Sequence, residues 1–346
     1  MSATQGATIL GCLGPVLSEA EAGFFREADP WGFILFARNV EDPAQLRRLT
    51  DDLRETVGRD APVFVDQEGG RVQRLRAPHW SEWLPPLDIV TLAMTSAAAG
   101  QGLEQACRAM WLRYRLIAAE LRGVGIDGNC APCLDVASAN THAFLRNRCF
   151  SDDPQVVAAL GRAAADGHLA GGVLPVVKHM PGHGRATMDS HKELPIVTAP
   201  RDLLHAHDFA PFHALRDLPL AMTAHIVFTD IDPDHPATSS AAMVQCMRGQ
   251  IGFDGLLMSD DLSMEALSGS LGERAAATIA AGVDIALHCN GKPFEMEPVV
   301  AAAGRMTPKA QSRADAALRA RIAPETVDIA ALSAELAGLL GGRGHV

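Results

Sequence analysis

A chain of 346 residues with 48% hydrophobic and 21% charged side chains can bury one large core, which excludes a disordered or fibrous protein. Its formal net charge of −11 is spread along the sequence without a block of Lys or Arg, so a nucleic-acid footprint and a basic membrane-binding surface are excluded. The expected partner is a neutral or small polar molecule, and the chain is expected to act as a monomer.

Residues 1–6 lack the basic flank and apolar core of a signal peptide, and no uncharged apolar stretch reaches membrane-spanning length. A cytoplasmic protein with no membrane contact is the expectation. Seven scattered cysteines suit reduced thiols better than a disulfide framework. Cys130 and Cys133 have C-x-x-C spacing, but neither a second Cys or His pair nor a helix opening follows. They are expected to pack at a strand end, and neither a metal nor a cofactor is expected.

In chain order, short apolar runs alternate with amphipathic or Ala-rich stretches, the pattern of a parallel α/β protein. The expected strands are 8–13, 32–36, 63–65, 126–131, 173–177, 220–223, 255–258 and 283–287. Expected helices between them are 18–28, 43–57, 102–122, 154–171, 200–215, 239–251 and 272–281. Eight such units close a TIM (β/α)8-type barrel, and no G-x-G-x-x-G follows any strand to favour a doubly wound sheet. The insertion 66–94, with Pro78, Pro85, Pro86, Trp80 and Trp83, reads as an ordered loop over the barrel mouth. The chain as a whole, 1–346, reads as a single catalytic barrel with outer helices at roughly 298–340, and no internal repeat or linker marks a second domain.

Barrels of this type place their chemistry at the C-terminal ends of the strands. There the sequence offers Asp66 to Arg74 after strand three, Asp135 and Arg146 to Arg148 after four, Lys178 to Gly184 and Asp189-Ser190-His191 after five, His225 after six, Ser259-Asp260-Asp261 after seven and His288 after eight. These groups are expected to converge on one pocket. Carboxylates, imidazoles and arginines with few exposed aromatics suit a hydroxyl-rich ligand held by charge-assisted hydrogen bonds.

Three segments, Lys178-His179-Met180-Pro181-Gly182-His183-Gly184 with Asp189-Ser190-His191, Asp66-Gln67-Glu68-Gly69-Gly70-Arg71-Val72-Gln73-Arg74, and Met258-Ser259-Asp260-Asp261-Leu262-Ser263-Met264, together resemble the bacterial β-N-acetylglucosaminidases of glycoside hydrolase family 3, cytoplasmic enzymes of cell-wall recycling. Met180 stands where that family usually has Phe, and Cys149 where it commonly has Ser. The resemblance implies a single barrel that removes terminal β-linked N-acetylglucosamine from 1,6-anhydro-muropeptides with retention of configuration. By position it implies Asp260 as nucleophile, His191 as general acid/base and Asp189 as its partner. It also implies that Asp66, Arg74, Arg148, Lys178 and His179 hold the non-reducing sugar.

The residue chemistry is consistent with these roles. A retaining glycosidase needs a carboxylate to attack the anomeric carbon and a second group that first protonates the leaving oxygen and then activates water. A histidine, with an unperturbed pKa of about 6.5, can do the second task near neutrality. Asp260 shares its strand phase with Leu256 and Met258, whereas Asp261 is expected to turn away and cap a helix in 262–267. Two other readings stay open on residues alone: a metal-dependent hydrolase on the same barrel, whose only H-x-H is His205 and His207, and a non-catalytic sugar-binding barrel.

Overall fold

The computed structural model describes residues 4–186 and 194–342. Eight parallel strands form one sheet: β1 (Gly6–Gly11), β2 (Pro30–Leu35), β3 (Val63–Val65), β4 (Gly128–Asn129), β5 (Leu174–Met180), β6 (Leu220–Thr223), β7 (Leu256–Met258) and β8 (Ala286–His288). Neighbours in the sheet run β7-β6-β5-β4-β3-β2-β1-β8. A parallel bridge from Met258 to Ile285 joins the two edges and closes the barrel. Each expected strand is present, and the α/β barrel is the observed fold.

Strand alternation divides the apolar residues into two layers. Ile9, Leu174, Val176, Leu220, Met222, Leu256 and Met258 belong to one buried cluster, the barrel interior. Leu10, Phe33, Leu35, Val63, Val65, Val177, Ala221 and Leu257 belong to the other, between the strands and the surrounding helices. Successive side chains of a strand point to opposite faces, so a run of apolar residues serves both layers at once. Each fully buried aliphatic side chain contributes roughly 1.5–3 kcal/mol. The interior layer also forms the apolar floor beneath the mouth.

Local signals set the helix starts. Ser18 accepts from the Glu21 N–H while Glu21 reaches back, a capping box that opens the helix Glu19–Ala28. Asp42 and Asp153 cap helices whose first residue is Pro43 or Pro154. The expected helices 43–57 and 102–122 match Pro43–Val57 and Gly102–Arg122.

The expected helices 200–215 and 239–251 are interrupted. The first divides into Arg201–Leu203, a π-helical turn Leu204–Asp208 and Ala210–Ala214. Pro211 has no N–H to give to the preceding turn, and the ladder widens so that the Phe209 N–H bonds to Leu204 O at 2.8 Å. The bulge places Asp208 where it accepts from Arg185 Nε at 2.7 Å. In the second, a π-helical turn Cys246–Gln250 follows Ala241–Gln245.

The insertion after β3 reaches the mouth through its first part, where Asp66, Arg71, Val72 and Arg74 line the cavity there. It begins with a small hairpin, Gln67–Gly69 paired with Val72–Gln73, and ends in the helix Pro86–Ser96. Trp80 and Trp83 are buried against the outer helix Gly102–Arg122, where Glu120 accepts from Ser81 Oγ at 2.6 Å and from Trp83 Nε1 at 3.2 Å. The indoles seat the later part of the insertion against that helix, because burying their large apolar area is favourable, while the hairpin stays at the mouth. The tail forms helices Pro293–Ala303, Pro308–Arg319 and Ile329–Leu339, the last tied by Glu335 to Arg108. Among the described residues no helix is long and apolar enough to cross a membrane.

Candidate active site

A cavity of about 340 Å³ opens at the C-terminal ends of the strands. Six of the residues given a catalytic or sugar-binding role line it: Asp66, Arg74, Arg148, Lys178, His179 and Asp260. Asp189 and His191 lie outside the described residues.

One wall is a chain of alternating charges. Asp66, just past β3, accepts from Arg74 Nη2 at 2.9 Å and from Lys178 Nζ at 3.0 Å. Lys178, in phase with the interior residues Leu174 and Val176 of β5, also meets Glu68 Oε1 at 2.7 Å. Glu68 takes a fork from Arg148, Nε to Oε2 at 2.9 Å and Nη2 to Oε1 at 2.8 Å. Burial pushes the Glu68 carboxyl up, but the Arg148 and Lys178 cations more than reverse this and hold it at about 2. Asp66 is held below the usual carboxylate range against its burial by Lys178 and Arg74. All these groups are ionised near neutrality, and each cation keeps donors beyond those used inside the wall. Lys178 has three N–H groups, of which two carboxylates take two.

The hairpin that carries Glu68 is fixed by a glycine. Gly69 has φ +101°, and a Cβ there would lie 2.7 Å from Leu84 O and run into the Arg113 guanidinium. Arg113, fully buried, uses Nη2 to bind Glu68 O at 2.5 Å and Leu84 O at 2.6 Å. Only a residue without a side chain lets Arg113 approach and lock the backbone next to Glu68.

The second wall begins at His179. The ladder shifts register between Val177 and Met180, so strict alternation stops and the adjacent Lys178 and His179 both reach the pocket. His179 Nδ1 lies 2.7 Å from Asp135 Oδ2, and its Nε2 is 3.4 Å from Arg148 Nη2. Asp135 Oδ1 also accepts from the His179 and His183 N–H groups, and Oδ2 from the Cys133 thiol at 3.2 Å. With the proton on Nδ1 facing Asp135, Nε2 presents a lone pair to the pocket.

Asp260 follows β7. Its Oδ1 accepts from the Asp261 N–H at 2.8 Å. Burial raises this carboxyl, but the His225 and His179 imidazoles, that N–H bond and the Lys178 charge outweigh it, so Asp260 is held below its ordinary value as a carboxylate. Asp261 also lines the pocket, and it caps no helix, because residues 262–267 form turns. β7 ends at Met258, so its alternation does not extend to Asp261. Instead Asp261 binds the Ser263 N–H and hydroxyl at 3.0 and 2.6 Å and the Cys289 N–H at 3.2 Å, stitching the loop after β7 to the one after β8.

Not every expected strand-end group converges. His225 turns to Thr238 Oγ1 at 2.7 Å and Asp261 O at 3.0 Å, beneath the pocket rather than in its lining. His288 is fully buried beside Glu295, and Arg146 donates to Ser138 O on the exterior. His205 and His207 lie on the π-helical turn away from the cavity. Cys130 packs in the barrel interior and Cys133 in a separate small cluster, so the C-x-x-C thiols do not share a site. Cys133, Asp135 and His179 could together hold a metal ion, their ligand atoms lying within 4.8 Å of one another, though in the structure they bind each other.

The sequence reading assigned no role to Phe36, Met222, Met264, Leu287 or Cys289, which form the apolar side of the pocket. Arg74 lies 5.2 Å from the Phe36 ring centroid, a cation–π contact that steadies it at the rim. Phe36, Met222 and Leu287 carried a signal, being interior-phase residues at expected strand ends.

Comparison with known proteins agrees with this geometry. The model for the N-terminal domain of glycosyl hydrolase family 3 matches residues 24–321. Beta-hexosaminidases of Bordetella avium and Methylococcus capsulatus are 36% and 39% identical to this chain, covering 82% and 80% of it and 81% of each relative. NagZ from Neisseria gonorrhoeae, both native and in complex with N-trifluoroacetyl-D-glucosamine, superimposes with a TM-score of 0.85 at 30% identity, over 98% of this chain and 98% and 99% of theirs. With the barrel, the charged wall and the pocket-facing Asp260 in place, this chain belongs to glycosyl hydrolase family 3, as a glycoside hydrolase of the β-N-acetylhexosaminidase group.

Proposed function

We propose that the enzyme is a retaining exo-β-N-acetylglucosaminidase that removes terminal N-acetylglucosamine from 1,6-anhydro-muropeptides during cell-wall recycling. It works in the cytoplasm, as a monomer, with the whole chain as one catalytic domain. Asp66, Arg74, Arg148, Lys178 and His179 bind the hydroxyls of the non-reducing sugar. Asp260 attacks the anomeric carbon to form a glycosyl-enzyme ester as the leaving oxygen takes a proton from His191. His191 then removes a proton from water, which attacks the anomeric carbon and releases Asp260. Asp189 orients His191 through a hydrogen bond to one ring nitrogen.

The observation that carries this reading is an ionised Asp260 lining the same cavity as a wall of paired cations with spare donors. A pyranose has hydroxyl edges and apolar C–H faces, which suits a pocket polar on one side and apolar on the other. The complex of NagZ from Neisseria gonorrhoeae with N-trifluoroacetyl-D-glucosamine supports the sugar class. The test is turnover of a chromogenic β-N-acetylglucosaminide against matched β-glucoside and β-N-acetylgalactosaminide substrates, followed by release of N-acetylglucosamine from a 1,6-anhydro-muropeptide. Equal rates on all three chromogenic sugars, or no release from the muropeptide, would contradict it.

A further inference from the structure

We infer that His183 is a substrate-binding residue of this pocket, a neutral imidazole whose two ring nitrogens, left without a partner by the described residues, exchange hydrogen bonds with uncharged hydroxyl or amide groups of the bound sugar. The inference rests on the reading of the cavity as the N-acetylglucosamine site.

His183 lines the cavity and is 6% exposed, yet among the described residues neither Nδ1 nor Nε2 has a hydrogen-bond partner. Of the other buried histidines around the barrel, three are engaged: His168 with Asn129 and Ala164 O, His179 with Asp135, and His225 with Thr238 and Asp261 O. His288 has no hydrogen bond at either ring nitrogen among the described residues, but it has the Glu295 carboxylate 3.4 Å from Nε2 and does not line the cavity, so His183 alone of the two faces a ligand space. A buried donor or acceptor left unmade is costly, and native structures complete such bonds with protein groups, ordered water or a ligand. Among the described residues, none satisfies the His183 ring.

Its position is fixed, so the ring is presented rather than loose. The His183 N–H donates to Asp135 Oδ1 at 2.7 Å, and His183 O accepts from the Ala186 N–H at 3.0 Å. Gly182 precedes it with φ +145°, where a Cβ would lie 2.9 Å from Asp208 O, so the backbone is held close against the π-helical turn. The ring sits edge-on to His179, centroids 5.6 Å apart, which places it beside a proposed sugar-binding residue. Asp135 thus anchors both imidazoles, His179 through its ring and backbone, His183 through its backbone alone.

The ionisation fits the role. Burial and the neighbouring His179 pull the imidazole down to about 4, with Asp135, its own backbone and Asp260 opposing. Near neutrality it has one donor and one acceptor, which matches a hydroxyl or an amide and not an anion.

A structural histidine and a ligand-binding one respond oppositely to an apolar replacement. His183→Phe fills the same space and removes the unsatisfied nitrogens, so the thermal midpoint should stay level or rise. KM for the chromogenic β-N-acetylglucosaminide should rise, with kcat/KM falling about 10- to 100-fold, as expected for loss of one or two substrate hydrogen bonds. His183→Gln, which restores a donor and an acceptor, should recover part of the loss. A Phe variant within about twofold of wild type in kcat/KM, or one whose midpoint falls while KM holds, would overturn the inference. If Phe does not fold, KM of the Gln variant decides, unchanged KM contradicting the assignment; failure of both to fold makes His183 a residue of the fold. Wild-type turnover on the same substrate is the control: its absence defeats the functional reading, whereas its presence with an unaffected Phe variant defeats only the role of His183.

Discussion

His179 Nδ1 stands 2.7 Å from Asp135 Oδ2, and this single contact fixes which nitrogen of His179 faces the sugar pocket. Asp135 is fully buried and accepts two backbone N–H groups and a thiol besides, so it cannot turn away. Asp135→Asn can keep the backbone bonds through its carbonyl, but its amide then offers a donor to Nδ1. The imidazole must move its proton to Nε2, which points at the Arg148 donor 3.4 Å away. Loss of a buried hydrogen bond costs about 1–3 kcal/mol, so kcat/KM should drop by roughly 5- to 150-fold, mostly through KM. Unchanged KM in a folded Asn variant would contradict the tautomer assignment.

Arg74 and Arg148 should fail differently. Arg148 is buried and forked onto Glu68, so Arg148→Ala leaves a buried carboxylate with only Lys178 and should cost about 3–5 kcal/mol of stability as well as binding. Arg74 is more exposed and shares Asp66 with Lys178. Arg74→Ala should raise KM about tenfold or more with a smaller change in thermal midpoint. Denaturant titration beside initial-rate kinetics separates the two, and equal stability losses would contradict the account of the wall.

His191 and Asp189 carry predictions through leaving-group chemistry. His191→Ala should slow substrates with poor leaving groups far more than activated aryl glycosides, because only the former need full protonation in the transition state. Asp189→Asn should follow the same trend more mildly. Equal losses on both kinds of substrate would remove His191 from the acid/base role.

The pH dependence has two parts. In kcat/KM, Asp260 must be ionised and its pKa is held below the ordinary 3.8, so the acid limb belongs below about pH 4. His191 must carry its proton, so activity should decline on the basic side, and His191→Ala should lose that limb. In stability, Glu68 falls from 4.5 unfolded to about 2 folded. A depressed carboxylate contributes stability fully above its unfolded value and loses it as pH drops toward the folded one. Glu68→Gln should therefore lower the thermal midpoint at pH 6, with the gap to wild type shrinking by pH 3. A gap that widens at low pH would contradict the ionised Glu68.

Much of this was legible in the sequence because apolar runs and strand-end polar residues are local signals. The eight strands follow from runs such as Val173 to Val177, and the charged wall follows from residues immediately after β3 and β5. What stayed illegible depends on distant packing. Trp80 and Trp83 could cover the mouth or a helix, and only the presence of Glu120 on Gly102–Arg122 decides. His225 and His288 sit at strand ends like the pocket residues, yet partners elsewhere in the chain draw them under it. Glu68 was within a motif, but its part as the carboxylate shared by Lys178 and Arg148 needs three segments brought together.

The central claim, that Asp260 forms the covalent intermediate, is tested by intact-protein mass spectrometry after brief incubation with a slow fluorinated N-acetylglucosaminide. Wild type should gain one sugar mass, with the adduct mapping to the peptide at Asp260. Asp260→Asn should gain none and show no turnover. Asp261→Asn should still trap the adduct, since an Asn carbonyl can accept from the Ser263 and Cys289 N–H groups while its amide donates to the Ser263 hydroxyl, which can turn to accept. An adduct that persists in the Asp260 variant, or maps to Asp261 in the wild type, would contradict the account.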